Sequence, residues 1–456
     1  MTATLGPRVV IAGTHSGVGK TTLATGIAAA LTAAGDSVAT AKVGPDYIDP
    51  GYHALATGRP GRNLDPWLCG EDAILPLAGR AARDSDLLVV EGVMGLFDGV
   101  GDQRDPSFAS TAHVARLLDA PIVLVVDVAA MSTSVAALVA GFLDFDPRLQ
   151  VAGVILNRVG SDGHEVLLRE AVAALPIDVL GALRRDDALT WRDRHLGLVP
   201  VVEHPEAVRS ALDRLVARIA EGLDLPALLH IAHAAPARVV PDPPTPTPAG
   251  PARVAVADGP AFSFTYPDNL EALAAAGAEL LPFDPCAAAH LPDAIDGLVV
   301  GGGFPETYAA ELADNRPLLA DVGRRVRSGL VTWVECGGLL WLSGSLDDDP
   351  LVGAVPARGR MTSRLTLGYR TATLRRTCPL GPRGARLRGH EFHYSTVDPP
   401  GDALDLVSRS GSARAGYSTE TLLASFLHVH LGGDPRPAES FVGLAGRSPH
   451  REVADS

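Results

Sequence analysis

Lysine is nearly missing from this sequence of 456 residues: of 39 basic residues only Lys20 and Lys42 are lysine, and the rest are arginine. Where any cation serves, this chain uses arginine. The two lysines are therefore candidates for sites that need a compact ammonium rather than a planar guanidinium. Cysteine is scarce too. Cys69, Cys286, Cys336 and Cys378 form no CxxC pair, which excludes a disulfide framework or a thiolate zinc site and fits a reducing cytoplasm. Basic charge is in deficit, with a net −14, so a general nucleic-acid partner is not expected. Anionic ligands stay open, because backbone amides bind phosphate on an acidic protein as well. The N-terminus MTATLGPRVVIAG lacks the pattern of a signal peptide. The most apolar stretch, 120–143, is broken by Asp127 and by Ser and Thr, which suits a buried strand and a helix rather than a membrane span.

Proline is abundant, and the segment 236–252, PARVVPDPPTPTPAGPA, concentrates it. That composition reads as an extended linker between domains at 1–235 and 253–456. On both sides, short β-branched runs alternate with Ala/Leu-rich helical stretches, the pattern of parallel α/β sheets. Strands are expected at 8–12, 87–90, 122–126, 151–156 and 196–200, then at 253–257, 297–300 and 330–334, with antiparallel or edge strands near 361–376.

The run GTHSGVGKTT, 13–22, follows a strand and precedes a helix expected at 21–34. That is the setting of a phosphate-binding loop. Gly13, Thr14, Ser16, Gly17, Val18, Gly19, Lys20, Thr21 and Thr22 are the candidate nucleotide residues. Gly17 and Gly19 let backbone amides converge on phosphate oxygens, Lys20 reaches the β/γ-phosphates, and Thr21 is suited to Mg²⁺. The match to GxxxxGK[ST] departs at its first glycine, where Thr14 stands. KVGPDYIDPGYH, 42–53, carries Asp46 and Asp49 in a Pro/Gly-bounded loop. LLVVEGVMGLFDG, 87–99, ends a buried strand on Glu91 and has Asp98 in the loop after it. An acid directly after four apolar strand residues is costly without a partner. The expected metal set is Thr21, Asp46 and Glu91. Lys42, Asp49 and Asp98 are candidates for holding substrate or intermediate, although Asp98 fits an ordinary turn equally well. Asn157, also at a strand end, suits either a base edge or the start of a turn.

VTWVECGGLLWL, 331–342, reads as strand, tight turn and helix. A cysteine at such a turn is exposed at the sheet edge, at a helix N-terminus, where thiol chemistry is favoured. Cys336 is the candidate nucleophile. Gly302, Gly303 and Gly337 are candidate oxyanion or turn positions. His428 and His430, two residues apart in ASFLHVHLGG, are both candidate bases.

Together with GGGFPET and RGHEFHYS (388–395), these motifs span residues 13 to 430 and resemble the a,c-diamide synthases of the cobalamin pathway, which act on cobyrinate or hydrogenobyrinate. The resemblance implies an N-terminal P-loop domain of the dethiobiotin-synthetase type fused to a C-terminal class I glutamine amidotransferase-like α/β domain. It implies ATP as co-substrate with Mg²⁺, and small-molecule substrates: glutamine and a corrinoid macrocycle. Neither nucleic acid nor membrane is expected as a partner, and a homodimer is one option for assembly. His15 stands where partition-type ATPases carry a signature lysine, which favours the ligase branch. The wider amidotransferase class carries a Glu two residues after its catalytic His, and here that position is His430. A Cys336–His428 dyad is the implied arrangement. Related tetrapyrrole amide ligases, and a switch ATPase with an inert amidase-like tail, are the competing readings.

Overall fold

The computed structural model describes residues 4–100, 105–185, 193–194, 197–198, 201 and 205–447. They fall into two compact units, Met1–Pro243 and Pro244–Ser456.

The first unit is built on seven strands: β1 (Arg8–Gly13), β2 (Val38–Val43), β3 (Arg62–Leu64), β4 (Leu87–Glu91), β5 (Ile122–Asp127), β6 (Val151–Val159) and β7 (Val179–Arg184). All pair parallel, in the order β3-β2-β4-β1-β5-β6-β7. The central strands β1, β2 and β4 are buried at every position, so both faces of the sheet are covered and the strands read as continuous apolar runs. Burying Leu88, Val89 and Val90 stabilises the unit by roughly 1.5–3 kcal/mol per side chain. Arg8, fully buried in β1, is satisfied by carbonyls: its Nε donates to Leu118 O at 2.7 Å and its guanidinium to Gly6 O and Pro236 O at 2.8 Å. Helix α1 (Lys20–Ala34) follows β1. It starts after Gly19 (φ 97°) and stops at Gly35 (φ 108°), whose amide bonds back to Leu31 O. Helix α2 (Asp49–Thr57) follows β2.

The expected strand at 196–200 lies largely outside the described residues. Gly197–Leu198 pairs antiparallel with Asp193–Arg194, apart from the parallel sheet. The strand that completes the sheet is β7, VLGALR, whose only β-branched residue is Val179. In the proline-rich stretch, Arg238–Val239 pairs with Thr4–Leu5. Val240 packs where a side chain on Gly79 would stand. Residues 241–251 carry neither helix nor strand.

The second unit has two sheets. Strands β8 (Ala252–Ala257), β9 (Ala278–Phe283), β10 (Gly297–Val300) and β11 (Val331–Glu335) lead the chain. Helix α3 (Gly337–Leu342) follows β11 after one residue. Then come β12 (Arg358–Leu374), β13 (Arg386–Asp398), β14 (Leu404–Ser408), β15 (Gly411–Ala415), β16 (Tyr417–Ser418), β17 (Leu422–Ser425) and β18 (His428–Val429). The first sheet runs β9-β8-β10-β11-β17-β16, parallel except for β16. In the second, antiparallel sheet, β13 pairs with both β12 and β18, and β14 pairs with β12 and β15. The long expected edge strand near 361–376 is β12, which starts three residues earlier and is bulged between Met361 and Thr366. Strand β18 matters for chemistry, because its register sets His428 opposite His390 of β13.

Candidate active site

Two separate clusters carry the chemistry-bearing residues, one in each unit. In the first, the loop after β1 turns through Gly17 (φ 81°) and Gly19 (φ 97°) into α1. His15, Ser16 and Gly17 form its exposed rim, while Val18 and the Lys20 stem pack over Gly13. Thr14 N donates to Val125 O at 3.2 Å and Leu96 N donates to Gly13 O at 2.8 Å, which ties the loop to its neighbours. Asn157 braces it from β6: its Nδ2 donates to Val18 O at 2.7 Å. A Cβ on Gly19 would lie 2.4 Å from that nitrogen, so the close approach and the positive φ both require glycine. Lys20 curls back, and its ammonium donates to His15 O at 3.2 Å. Burial, with Lys42 nearby, lowers its pKa to about 8. Thr22, next along α1, is half-buried.

Beneath the loop lies a buried ionic knot. Lys42 Nζ is 2.5 Å from Asp49 Oδ2 and 2.6 Å from Glu91 Oε1. Thr21 Oγ1 donates to Glu91 Oε1 at 2.7 Å and faces Asp49 Oδ2 at 3.2 Å. The second Glu91 oxygen lies 2.7 Å from His53 Nε2. Burial opposes charge on Lys42, but Asp49 and Glu91 outweigh it and its pKa is raised. Burial likewise opposes charge on Glu91, and Lys42 with His53 holds it below the usual carboxylate range. Asp49 is pushed up by burial and by the neighbouring Asp46 and Glu91 charges.

The carboxylates against Thr21 are thus those of Glu91 and Asp49, and Asp46, expected there from sequence, is not among them. Asp46 instead uses its Oδ1 to accept the amides of Ile48 and Asp49, at 2.7 and 2.9 Å, at the head of α2. Asp98 Oδ2 accepts the Gly95 amide at 2.9 Å and closes its own loop. His53 was not singled out from the sequence. Its signal was the i, i+4 spacing from Asp49, which sets both on one face of α2.

In the second unit, Cys336 sits between β11 and α3 with φ 47° and ψ −103°, in the left-handed half of backbone space. Its amide donates to Ser425 O at 2.8 Å, and Gly338 N donates to Gly301 O at 3.1 Å. These bonds hold the turn to both neighbouring strands. The Gly302 amide is not available to an oxyanion, contrary to the expectation from sequence, because it donates to Phe264 O at 3.1 Å. The glycine loop is pinned to the preceding segment by that bridge. What Gly302 supplies is space: a Cβ there would lie 2.5 Å from His428 Cε1, 3.2 Å from His428 Nε2 and 3.3 Å from Cys336 Cβ. Gly303 N lies 3.2 Å from where a Cβ on Gly337 would stand, so the Gly303 amide lies close to the residue that follows Cys336.

Of the two candidate histidines, His428 is hydrogen-bonded to Cys336, and its Nδ1 lies 3.5 Å from Glu335 Oε2. Burial opposes its charge, but Cys336 first and Glu335 second raise its pKa to about 10. His430 points elsewhere. Its ring packs against Tyr266 at 4.4 Å, its Nδ1 accepts the Gly432 amide at 3.0 Å, and its Nε2 is 4.0 Å from Asp268. His390, missed in the sequence, stacks on His428 at 4.9 Å and 15° and is bonded to the Tyr266 hydroxyl at 2.9 Å. Burial and the two neighbouring histidines push its pKa well down.

Residues 253–436 match the family of CobB/CobQ-like glutamine amidotransferase domains, and residues 9–199 match the CobQ/CobB/MinD/ParA nucleotide binding domain. The hydrogenobyrinate a,c-diamide synthase of Streptomyces coelicolor is 47% identical over 96% of this chain and 97% of that protein. The same enzyme of Thermobifida fusca is 48% identical over 96% of each chain. The cobyrinate a,c-diamide synthase of Synechococcus is 43% identical over 95% of this chain and 97% of its own length. The chain belongs to the a,c-diamide synthase family. It is therefore a glutamine-hydrolysing carbon–nitrogen ligase of the cobalamin pathway, with a nucleotide-binding unit followed by an amidotransferase unit. Among the described residues no helix is long and apolar enough to cross a membrane.

Proposed function

We propose that this chain amidates the a and c carboxylates of cobyrinate or hydrogenobyrinate, drawing nitrogen from glutamine and energy from ATP. The observation that carries the reading is the Cys336 elbow bonded to His428, in the same chain as a Lys20 loop above a Lys42–Asp49–Glu91 knot.

In the amidotransferase unit, the Cys336 proton passes to His428, and the sulfur forms a bond to the glutamine amide carbon. The Gly303 and Gly337 amides are suited to the oxyanion. The C–N bond breaks as His428 returns the proton to departing ammonia, and water releases glutamate from the thioester. In the nucleotide unit, a macrocycle carboxylate oxygen attacks the γ-phosphorus of ATP and ADP leaves. Ammonia then displaces phosphate from the acyl phosphate to give the amide. Positioning and charge neutralisation dominate such a transfer. Loop amides and Lys20 hold the phosphates, and Lys42 with Asp49 orients the carboxylate end.

Thr21 Oγ1 contacts Asp49 Oδ2 and Glu91 Oε1, the same two carboxylate oxygens that hold the cation of Lys42. Such a hard-oxygen set suits Mg²⁺, which takes one or two carboxylates together with substrate phosphates. When bound, the ion neutralises phosphate charge.

The test is a pair of variants. Cys336→Ala loses glutamine-supported synthesis and keeps the ammonia-supported rate, while Lys20→Ala loses both but still hydrolyses glutamine. A folded Cys336→Ala that ammonia does not rescue would sink the two-site reading. Mass spectrometry of products from cobyrinate and its metal-free counterpart counts the amides and decides which macrocycle is used.

A further inference from the structure

The strand that delivers the thiol also delivers a buried carboxylate with no part in the reaction as described so far. Glu335 is the last residue of β11 and is 5% exposed. Its Oε1 accepts the Val429 amide at 2.9 Å, and its Oε2 lies 3.5 Å from His428 Nδ1. The first contact anchors the carboxylate to the residue after His428. The second is an ion-pair distance, longer than a strong hydrogen bond, as is common before substrate arrives.

We infer that Glu335 is the positioning residue of the thiol centre, doing for His428 what a glutamate two residues after the histidine does elsewhere in the amidotransferase class. This rests on the Cys336–His428 reading above. A carboxylate accepts and cannot donate. Facing Nδ1, it selects the tautomer with a proton on Nδ1 and leaves the Nε2 lone pair toward the thiol. Its charge also stabilises the imidazolium that forms once the thiol proton has moved to Nε2, the electron pair staying on sulfur. The conventional position is filled by His430, whose ring packs on Tyr266 instead. The geometry thus supplies the orienting acid from the residue before the nucleophile.

The other titratable neighbours do not duplicate this charge. From β13, His390 and His393 are kept neutral by burial, the latter with a pKa lowered to about 4. Glu391 is paired with Arg370 at 2.7 Å.

Glu335→Gln is the decisive variant. Its amide oxygen still accepts from Val429, so the local fold has what it needs. Its NH₂ group, however, donates toward Nδ1 and favours the opposite tautomer, with the proton on Nε2, where it blocks thiol deprotonation. We expect kcat with glutamine to fall about 100-fold or more, with KM for glutamine changed less than about threefold. Ammonia-supported synthesis stays at the parent rate. The alkaline limb of kcat/KM for glutamine moves to lower pH, because the imidazolium has lost its counter-charge. Glu335→Asp, which keeps the charge, recovers part of the rate and returns the limb upward.

Unaltered glutamine kcat and an unmoved alkaline limb in Glu335→Gln overturn the inference. So does a parallel fall of the ammonia-supported rate, which would make the residue merely structural. Cys336→Ala is run alongside. If it retains glutamine-supported synthesis, the thiol reading itself fails. If it is dead while Glu335→Gln is normal, only the role of Glu335 fails.

Discussion

Lys42 and Glu91 meet at 2.6 Å in the interior of the first unit, with side chains 5% and 0% exposed. Neighbouring strands bring them together, since Lys42 of β2 stands in register with Glu91 of β4. Removing one member of a buried pair leaves the other charge uncompensated. Lys42→Met is therefore expected to destabilise the first unit by about 3 kcal/mol, the low end for such losses, because His53 still contacts Glu91. Hydrogen exchange of the β2 and β4 amides, about a hundredfold faster than in the parent, is the measurement. Unchanged exchange would mean that the knot stabilises nothing.

Lys20 predicts a pH effect on nucleotide binding. Without nucleotide its pKa is about 8, so the ammonium is progressively lost as pH rises through that value. Polyphosphate favours the charged form, so ATP binding takes up a proton above pH 8 and almost none well below it. Calorimetric titration in two buffers of different ionisation enthalpy reads this directly. KM for ATP should rise with pH above 8, by at most about tenfold per unit.

Gly19→Ala should abolish ATP-supported synthesis. The new methyl would meet Asn157 Nδ2 at 2.4 Å on a backbone with φ 97°, forcing the loop away from the phosphates. Glutamine hydrolysis at Cys336 should persist. Nucleotide binding by fluorescence titration, retained within about threefold, would contradict the prediction.

Gly302→Ala is the mirror experiment. A Cβ 2.5 Å from His428 Cε1 and 3.3 Å from Cys336 Cβ displaces the imidazole from the thiol. Glutamine-supported turnover should fall by about 100-fold or more, a misplacement effect, while ammonia-supported synthesis is kept. Thiol alkylation by iodoacetamide at neutral pH should slow in step.

Much of this was legible in the sequence, for physical reasons. The glycines and Lys20 of the loop are needed by any phosphate cradle, so Thr14 in the first glycine position did not hide it. The ECGG turn between strand and helix announced the thiol. What stayed hidden depended on where side chains aim. Asp46 and Asp49 are three residues apart in one loop. Only the start of α2 at Asp49 makes one a helix-head acceptor and turns the other toward Thr21 and Lys42. Gly302 reads as an oxyanion donor in the sequence, but its amide is paired with Phe264 O, a bond that only the fold reveals. Glu335 is not legible as a partner of His428, because the two are 93 residues apart in sequence and meet only where β17 lies along β11 with Ser425 opposite Glu335. Strand β7 carries a single β-branched residue, Val179, so its strand signal is weak.

The left-handed backbone at Cys336 fixes the direction of its Cα–Cβ bond, and so the side of the turn on which the sulfur lies. Serine in that spot would inherit the same aim with far weaker nucleophilicity. A Cys336→Ser chain should thus hold intact glutamine long enough to be crystallised with it, giving a direct view of how the amide lies against Gly303 and Gly337.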